Sequence, residues 1–219
     1  MSESEIKDRL IEARVIAVVR AGEVEISRSL AQAYVAAGIR AIELTTSIPD
    51  WRATLAEVAA DCGEDVLIGL GTVVSPYDAI EAINLGAKFI VSPYICEDVI
   101  EAANMRSLPV IPGALSPSEI AYAYELGADM VKVFPVSSVG GPNYIKALLA
   151  PMPAWQLIPT GGVTPGNAIE YLRAGAVAVG LGSNMAPADK VEQRDWCAVT
   201  DSVRIFLKEL REKLEEGSK

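Results

Sequence analysis

The segment Asp129-Met-Val-Lys-Val-Phe-Pro135 is a short apolar run with a single ammonium group, Lys132, in its middle. A strand buried on both faces is expected to be a run of Val, Ile and Leu, and an unpaired charge inside it costs several kcal/mol. Two readings follow. Either Lys132 snorkels outward from a strand end, or its surroundings hold the amine neutral so that its lone pair can attack a carbonyl. Glu43 is out of place in the same way, because it interrupts Ala41-Ile-Glu-Leu-Thr45. It reads either as one half of an ion pair to a neighbouring strand or as a general acid/base in an apolar setting. By the two-residue strand period Glu43 shares a face with Ala41 and Thr45, and Lys132 shares one with Phe134. The phenyl ring is thus placed to cover the amine and desolvate it. Two glycine-rich stretches, Thr160-Gly-Gly162 and Gly180-Leu-Gly-Ser183, complete the set. They read as tight turns or as rows of backbone N–H groups that can hold a phosphate without basic side chains.

Composition removes several alternatives. Histidine is absent from the 219 residues, which excludes His-based triads, His-ligated metals and a His general base. Proton transfer at neutral pH then falls to Glu, Asp, Lys, Tyr, Cys or water. Three widely spaced cysteines, Cys62, Cys96 and Cys197, suggest neither a disulfide framework nor a zinc site. Cys96 and Cys197 fall on expected helices and read as packing or surface thiols. A net charge of −10 leaves no basic stripe for nucleic acid. No apolar run approaches the ~20 residues that cross a bilayer, and the charged start Met-Ser-Glu-Ser-Glu-Ile-Lys-Asp is unlike a signal peptide. The expected setting is the reducing cytoplasm.

The elements that must position these residues are legible from periodicity. An amphipathic helix over 3–13 precedes a strand at Val15–Val19, a helix from Val24 to Ala37 and a strand at Ala41–Thr45. The alternation continues through strands at Val66–Leu70, Phe89–Val91, Pro109–Gly113, Asp129–Pro135, Gln156–Thr160 and Val177–Leu181. Helices are expected near 75–85 and 97–105, from Ser116-Pro-Ser-Glu119 to Gly127, from Pro142 to Leu149, from Thr164-Pro165 to Gly175, and over 194–214. Four segments share one template, a helix-stopping glycine (Gly38, Gly86, Gly127, Gly175) running into an apolar strand, two βα units apart. Eight strands in strict alternation with helices predict one (β/α)8 TIM barrel over 15–214, with 3–13 as an extra N-terminal helix in the same domain, 1–219. An open doubly wound sheet fits less well, since no G-x-G-x-x-G follows the first strand.

In such a barrel the carboxyl ends of the strands carry the site. Those ends hold Arg20, Glu43 with Thr45, Thr72, Pro93, Lys132 with Phe134, Thr160-Gly161-Gly162, and Gly182-Ser183. Two cations, a carboxylate, several hydroxyls and two anion-holding turns are aimed at one mouth. The turns stand after the seventh and eighth strands, where barrels commonly bind phosphate. Tyr94 either touches substrate or shields the mouth. Ser137–Pro142 reads as a flexible loop that helps close it. Trp51, Trp155 and Trp196 read as packing residues.

With these residues assembled, the chain resembles the KDPG/KHG aldolase family, the class I aldolases that include 2-keto-3-deoxy-6-phosphogluconate aldolase. The resemblance runs from about residue 5 to 210. It rests on Ile16-Ala-Val-Val-Arg20, Ile42-Glu-Leu-Thr45, Gly69-Leu-Gly-Thr-Val73, Ile90-Val-Ser-Pro93, Ile111-Pro-Gly-Ala114, Val131-Lys-Val-Phe-Pro135, Pro159-Thr-Gly-Gly-Val163 and Val179-Gly-Leu-Gly-Ser183. The resemblance implies Lys132 as the Schiff-base lysine, Glu43 as an acid/base acting partly through water, and Thr72 at the pyruvate end. It also implies phosphate binding by Gly161, Gly162, Gly182 and Ser183, a homotrimer, and no metal or organic cofactor. Some members hold the substrate carboxylate with an arginine four residues after the glutamate, where this chain has Ser47. Arg20 is expected to take that role. Members acting on the galactonate epimer tend to have an aliphatic residue where Thr160 stands, so the expected substrate is the gluconate compound, with 4-hydroxy-2-oxoglutarate as a further one. The alternatives are a 2-keto-3-deoxy-6-phosphogalactonate aldolase, a phosphate-binding barrel with non-aldolase chemistry, and a non-catalytic oligomeric scaffold.

Overall fold

Parallel strands that alternate with helices close into a barrel in the computed structural model, which describes residues 1–216. Helix α1 (Glu3–Ala13) comes first. The strands are β1 (Val15–Val19), β2 (Ala41–Thr45), β3 (Leu67–Gly71), β4 (Ile90–Val91), β5 (Val110–Ile111), β6 (Gly113–Ala114), β7 (Val131–Val133), β8 (Leu157–Pro159) and β9 (Val179–Leu181). The remaining helices are α2 (Val24–Ala37), α3 (Trp51–Cys62), α4 (Pro76–Asn84), α5 (Glu97–Asn104), α6 (Pro117–Glu125), α7 (Pro142–Leu149), α8 (Ala168–Arg173), α9 (Ala188–Glu192) and α10 (Trp196–Glu216).

Nine strand segments make eight staves. Pro112 has no N–H to give a ladder and splits the fifth stave, so that β5 pairs with β4 and β6 pairs with β7. The Pro112 carbonyl still accepts the Lys132 N–H at 2.9 Å. One run of strands has the order β5-β4-β3-β2-β1-β9 and the other β6-β7-β8, and a parallel bridge from Thr160 to Gly180 joins β8 to β9 and closes the ring. The register sets Val18, Glu43 and Gly69 side by side, and likewise Gly113, Lys132 and Ile158.

The helix stops follow the sequence reading. Gly38, Gly86, Gly127 and Gly175 all have positive φ, between 92° and 109°. Ser116 and Glu119 form a reciprocal capping box at the start of α6. At the amino-terminal end of the barrel, Ile6 and Leu10 of α1 are buried, and Lys7 pairs with Asp129 at 2.9 Å.

Three local expectations change. The helix expected from Thr164 begins at Ala168, because Asn167 Oδ1 accepts the Thr164 N–H at 2.8 Å and Asn167 Nδ2 donates to the Gly162 carbonyl at 3.1 Å, which closes a turn. The final helix starts at Trp196 and is preceded by the short α9, which no apolar periodicity marks. Cys96 is the residue that caps α5, not one within it.

Candidate active site

The carboxyl ends of the staves surround a cavity of about 490 Å³. Arg20, Thr72, Pro93, Lys132 and Phe134 line one part of it, and Thr160, Gly161, Gly162, Gly182 and Ser183 line another. Glu43 lies just behind this lining, beside Lys132.

Lys132 and Glu43 are 7% and 3% exposed, which leaves no path for the lysine to snorkel into water. The Lys132 Nζ lies 3.6 Å from Glu43 Oε1. This pair spans the barrel interior from β7 to β2, whose ladder neighbours are β1 and β3, so it is not a bridge between adjacent strands. Glu43 Oε1 is buried and makes no hydrogen bond among the described residues. A carboxylate oxygen left in that state carries a desolvation penalty of about 1–3 kcal/mol or more, which a purely structural residue would have no reason to bear. Gly71 provides the room, since a Cβ at that position would run into the Glu43 carboxylate. The Phe134 ring centroid lies 5.4 Å from the Lys132 Nζ and covers it on the mouth side.

At one side of the amine, an Arg20 guanidinium N–H donates to Thr72 Oγ1 at 3.4 Å. Thr72 has a φ of 61°, an unusual conformation for a β-branched residue that costs about 1–3 kcal/mol. The Thr46 hydroxyl, which donates to the Thr72 carbonyl at 2.9 Å, holds it there. Ser47 is exposed, and its hydroxyl meets that of Thr45 at 2.8 Å. Arg20 and Lys132 are therefore the cations that line the mouth.

Across the cavity the two glycine turns stand together. Gly161 and Gly162 have φ of 86° and 81°. A Cβ on Gly161 would crowd the Phe134 ring at 3.1 Å, and one on Gly162 would strike Ser137. The space above Gly182 is open, with no atom within 4 Å of where its Cβ would be. The N–H groups of Gly162, Ser183 and Asn184 have no acceptor among the described residues. Because α8 starts late, the free N–H groups at this wall are those of the turns and not of a helix end at Thr164. The Ser137 segment is a 3-10 turn, Val136–Val139, tied to the barrel by Val136 N–H to the Thr160 carbonyl at 3.0 Å and Ser137 N–H to the Gly161 carbonyl at 3.2 Å. It stands as a back wall behind the glycine turn.

A buried lysine and carboxylate, an arginine and two turns with free N–H groups thus surround one cavity. The family model described as KDPG and KHG aldolase matches residues 6–202. The chain belongs to the KDPG and KHG aldolase family. It is 36% identical over 195 residues to the 2-dehydro-3-deoxy-phosphogluconate aldolase of Treponema pallidum, covering 89% of this chain and 92% of that one. It is 35% identical over 181 residues to the 2-dehydro-3-deoxy-6-phosphogalactonate aldolase of Escherichia coli, covering 82% and 86%. Among solved structures it superposes on the KDPG aldolase of Legionella pneumophila, crystallised with pyruvate captured at low pH as a covalent carbinolamine intermediate. That match has a TM-score of 0.83 and 28% identity, over 94% of this chain and 98% of that one. Membership makes the protein a class I carbon–carbon lyase, and it sets aside both the scaffold reading and the barrel with non-aldolase chemistry.

Several residues of this aldolase's site escaped the sequence reading. Val18, Val163 and Asn184 also line the cavity. Of these only Asn184 carried a signal, as the next residue of the Gly182-Ser183 turn. Gly71 was visible in the motif, but its role depends on where Glu43 sits. Tyr94 is 58% exposed and outside the cavity lining. The thiols of Cys62 and Cys96 are pushed up by burial, which makes them poor nucleophiles. No cluster of three metal-binding side chains occurs among the described residues.

Proposed function

We propose that this aldolase cleaves 2-keto-3-deoxy-6-phosphogluconate reversibly to pyruvate and glyceraldehyde 3-phosphate through an imine on Lys132. The observation that carries the reading is the buried pair itself, an amine 3.6 Å from a carboxylate oxygen with no other partner. The pair gives the ammonium a place to leave its proton. Transfer to Glu43 yields a neutral amine and a neutral acid, both better tolerated in a buried site than separate charges.

The free amine adds to the C2 ketone, and Glu43 returns its proton to the carbinolamine hydroxyl, which leaves as water to give a protonated imine and the Glu43 carboxylate. Glu43, directly or through a water, takes the proton of the C4 hydroxyl. The C3–C4 bond then breaks, and its electrons flow into the iminium to form an enamine while glyceraldehyde 3-phosphate departs. Protonation of the enamine at C3 and hydrolysis of the imine release pyruvate and regenerate Lys132. Arg20, oriented by Thr72, holds the C1 carboxylate, and the N–H groups of the two glycine turns hold the 6-phosphate. Pro93 and Phe134 form the apolar wall against the reacting carbons. The carbinolamine trapped in the Legionella relative supports this course.

Thr160 lines the cavity, and its hydroxyl, which donates to the Ile158 carbonyl at 3.4 Å, keeps an acceptor lone pair for a substrate hydroxyl, which favours the gluconate compound. 4-Hydroxy-2-oxoglutarate, cleaved to pyruvate and glyoxylate, has the same reacting atoms without the phosphate and is a second, weaker substrate. The galactonate epimer is the competing reading, supported by the 35% identical E. coli relative. Steady-state cleavage of the three compounds side by side decides. The highest kcat/KM is expected for the gluconate epimer, and faster turnover of the galactonate epimer overturns the assignment. Borohydride added with pyruvate should leave a reduced three-carbon adduct on Lys132. An adduct on another residue, or full activity in Lys132→Arg, ends the imine mechanism.

A further inference from the structure

A second cavity of about 220 Å³ lies behind the wall of the reaction cavity, and the aldol chemistry makes no use of it. It sits between the carboxyl end of β1, helix α2 and the segment bearing α9, and it shares Val18, Arg20 and Ser183 with the reaction cavity. Its body is aliphatic, formed by Ile26, Leu30 and Val191. Arg194 and Glu23, paired at 2.9 Å, pin the end of the α9 segment to the start of α2 across its outside.

Two polar groups break the aliphatic surface. Tyr34 lines the cavity and is 2% exposed, yet its hydroxyl has no hydrogen-bond partner among the described residues. The hydroxyl keeps some accessible surface, since Glu43 Oε1 is the one fully buried side-chain atom without a partner among the described residues, and on a residue that lines the cavity it is a free donor for a ligand acceptor. Burial pushes its ionisation upward, so it is a neutral donor at physiological pH. The other group is Arg20, the cation of the lining, which gives Thr72 one N–H of the five it carries. The carboxylate of the lining, Glu192, is on an exposed residue at the outer rim.

We infer that this cavity is a regulatory site for a small apolar monocarboxylate, whose body packs among Ile26, Leu30 and Val191 and whose carboxylate is received by Tyr34 and Arg20. The size fits. An apolar cavity of ~150 Å³ accepts benzene, so one roughly half as large again accepts a phenyl ring with a short carboxylate arm. Resting on the proposed role of Arg20 in holding the substrate carboxylate, occupancy draws the guanidinium away from the reaction cavity. It therefore raises KM and leaves kcat in place.

Phenylacetate is a suitable probe, with 2-phenylethanol as its uncharged control. Calorimetry should give saturable binding of one phenylacetate per chain, and crystals soaked with it should show it in the second cavity. KM for 2-keto-3-deoxy-6-phosphogluconate should rise several-fold with kcat unchanged, an effect 2-phenylethanol does not reproduce. Val191→Trp, which fills the cavity from its outer wall, should keep normal kcat and KM and lose both binding and inhibition. Tyr34→Phe, which keeps the shape and removes the donor, should weaken binding several-fold. Absence of saturable binding, density confined to the reaction cavity, or inhibition that survives Val191→Trp overturns the inference. Binding in the second cavity with KM unmoved upholds the ligand site and overturns the carboxylate role of Arg20.

Discussion

Lys132 and Glu43 face each other inside the barrel because position 71 has no side chain. The carboxylate occupies the volume that a Cβ on Gly71 would need, so Gly71→Ala must push Glu43 off its line to the amine. A displacement of ~1 Å in a catalytic group can cost about 100-fold. Gly71→Ala is therefore expected to lower kcat by roughly that factor with little change in KM, read by steady-state kinetics. A normal kcat in the folded variant would show that the position of Glu43 is not critical. The case also marks how far residue types can be read. Lys132 and Glu43 were conspicuous because charge in an apolar strand is costly wherever the strand lies. Arg20 and Thr72 were legible because strand ends in a barrel share one face. Gly71, Val18 and Val163 act through shape or through an absent atom, and that property appears only when the neighbours are in place.

The elements were legible for a different reason. Alternating strands and helices, four of the helices stopped by a left-handed glycine, leave few ways to close a sheet, and β1, β2, α2 and α7 form over the expected residues. What periodicity missed was set by single polar or imino groups. Pro112 breaks a stave by lacking an N–H, and the Asn167 side chain delays α8 by closing a turn in front of it. At the other end of the barrel α1 is held by a charge as well as by Ile6 and Leu10. The carboxylate of Asp129, which accepts a hydrogen bond from Lys7, raises the lysine's affinity for its proton above the ordinary value. A raised folded-state pKa contributes stability that is fully present below the unfolded value of ~10.4 and is lost as pH rises through the folded one. Denaturant melts should therefore show the wild type losing more stability than Lys7→Ala above about pH 10.4, beyond the loss that the buried tyrosines give both proteins, with Lys7→Ala less stable at neutral pH. Parallel pH curves for the two proteins would remove the pair from any account of how α1 is held.

For the whole molecule, the distribution of apolar surface supports the homotrimer we propose. Val74 and Tyr77 at the start of α4, and Tyr94 and Met105 on either side of α5, are 50%, 82%, 58% and 78% exposed. Large apolar side chains left exposed on two adjacent βα units are the kind of surface that an association covers. A cyclic trimer is heterologous, so each chain meets its neighbours through two different patches, and a charge placed in one patch disables every contact at once. Lys132 and Glu43 meet within one chain, so association is not needed to assemble that pair. Light scattering of the wild type should accordingly give three times the 23.2 kDa chain mass, and the double variant Tyr77→Asp, Met105→Asp should give a monomer. That monomer should still trap pyruvate on Lys132 with borohydride, because its site remains intact. A wild type that runs as a monomer removes the trimer. A monomeric variant that is folded but cannot trap pyruvate would mean that a neighbouring chain supplies something the cavity lining does not contain.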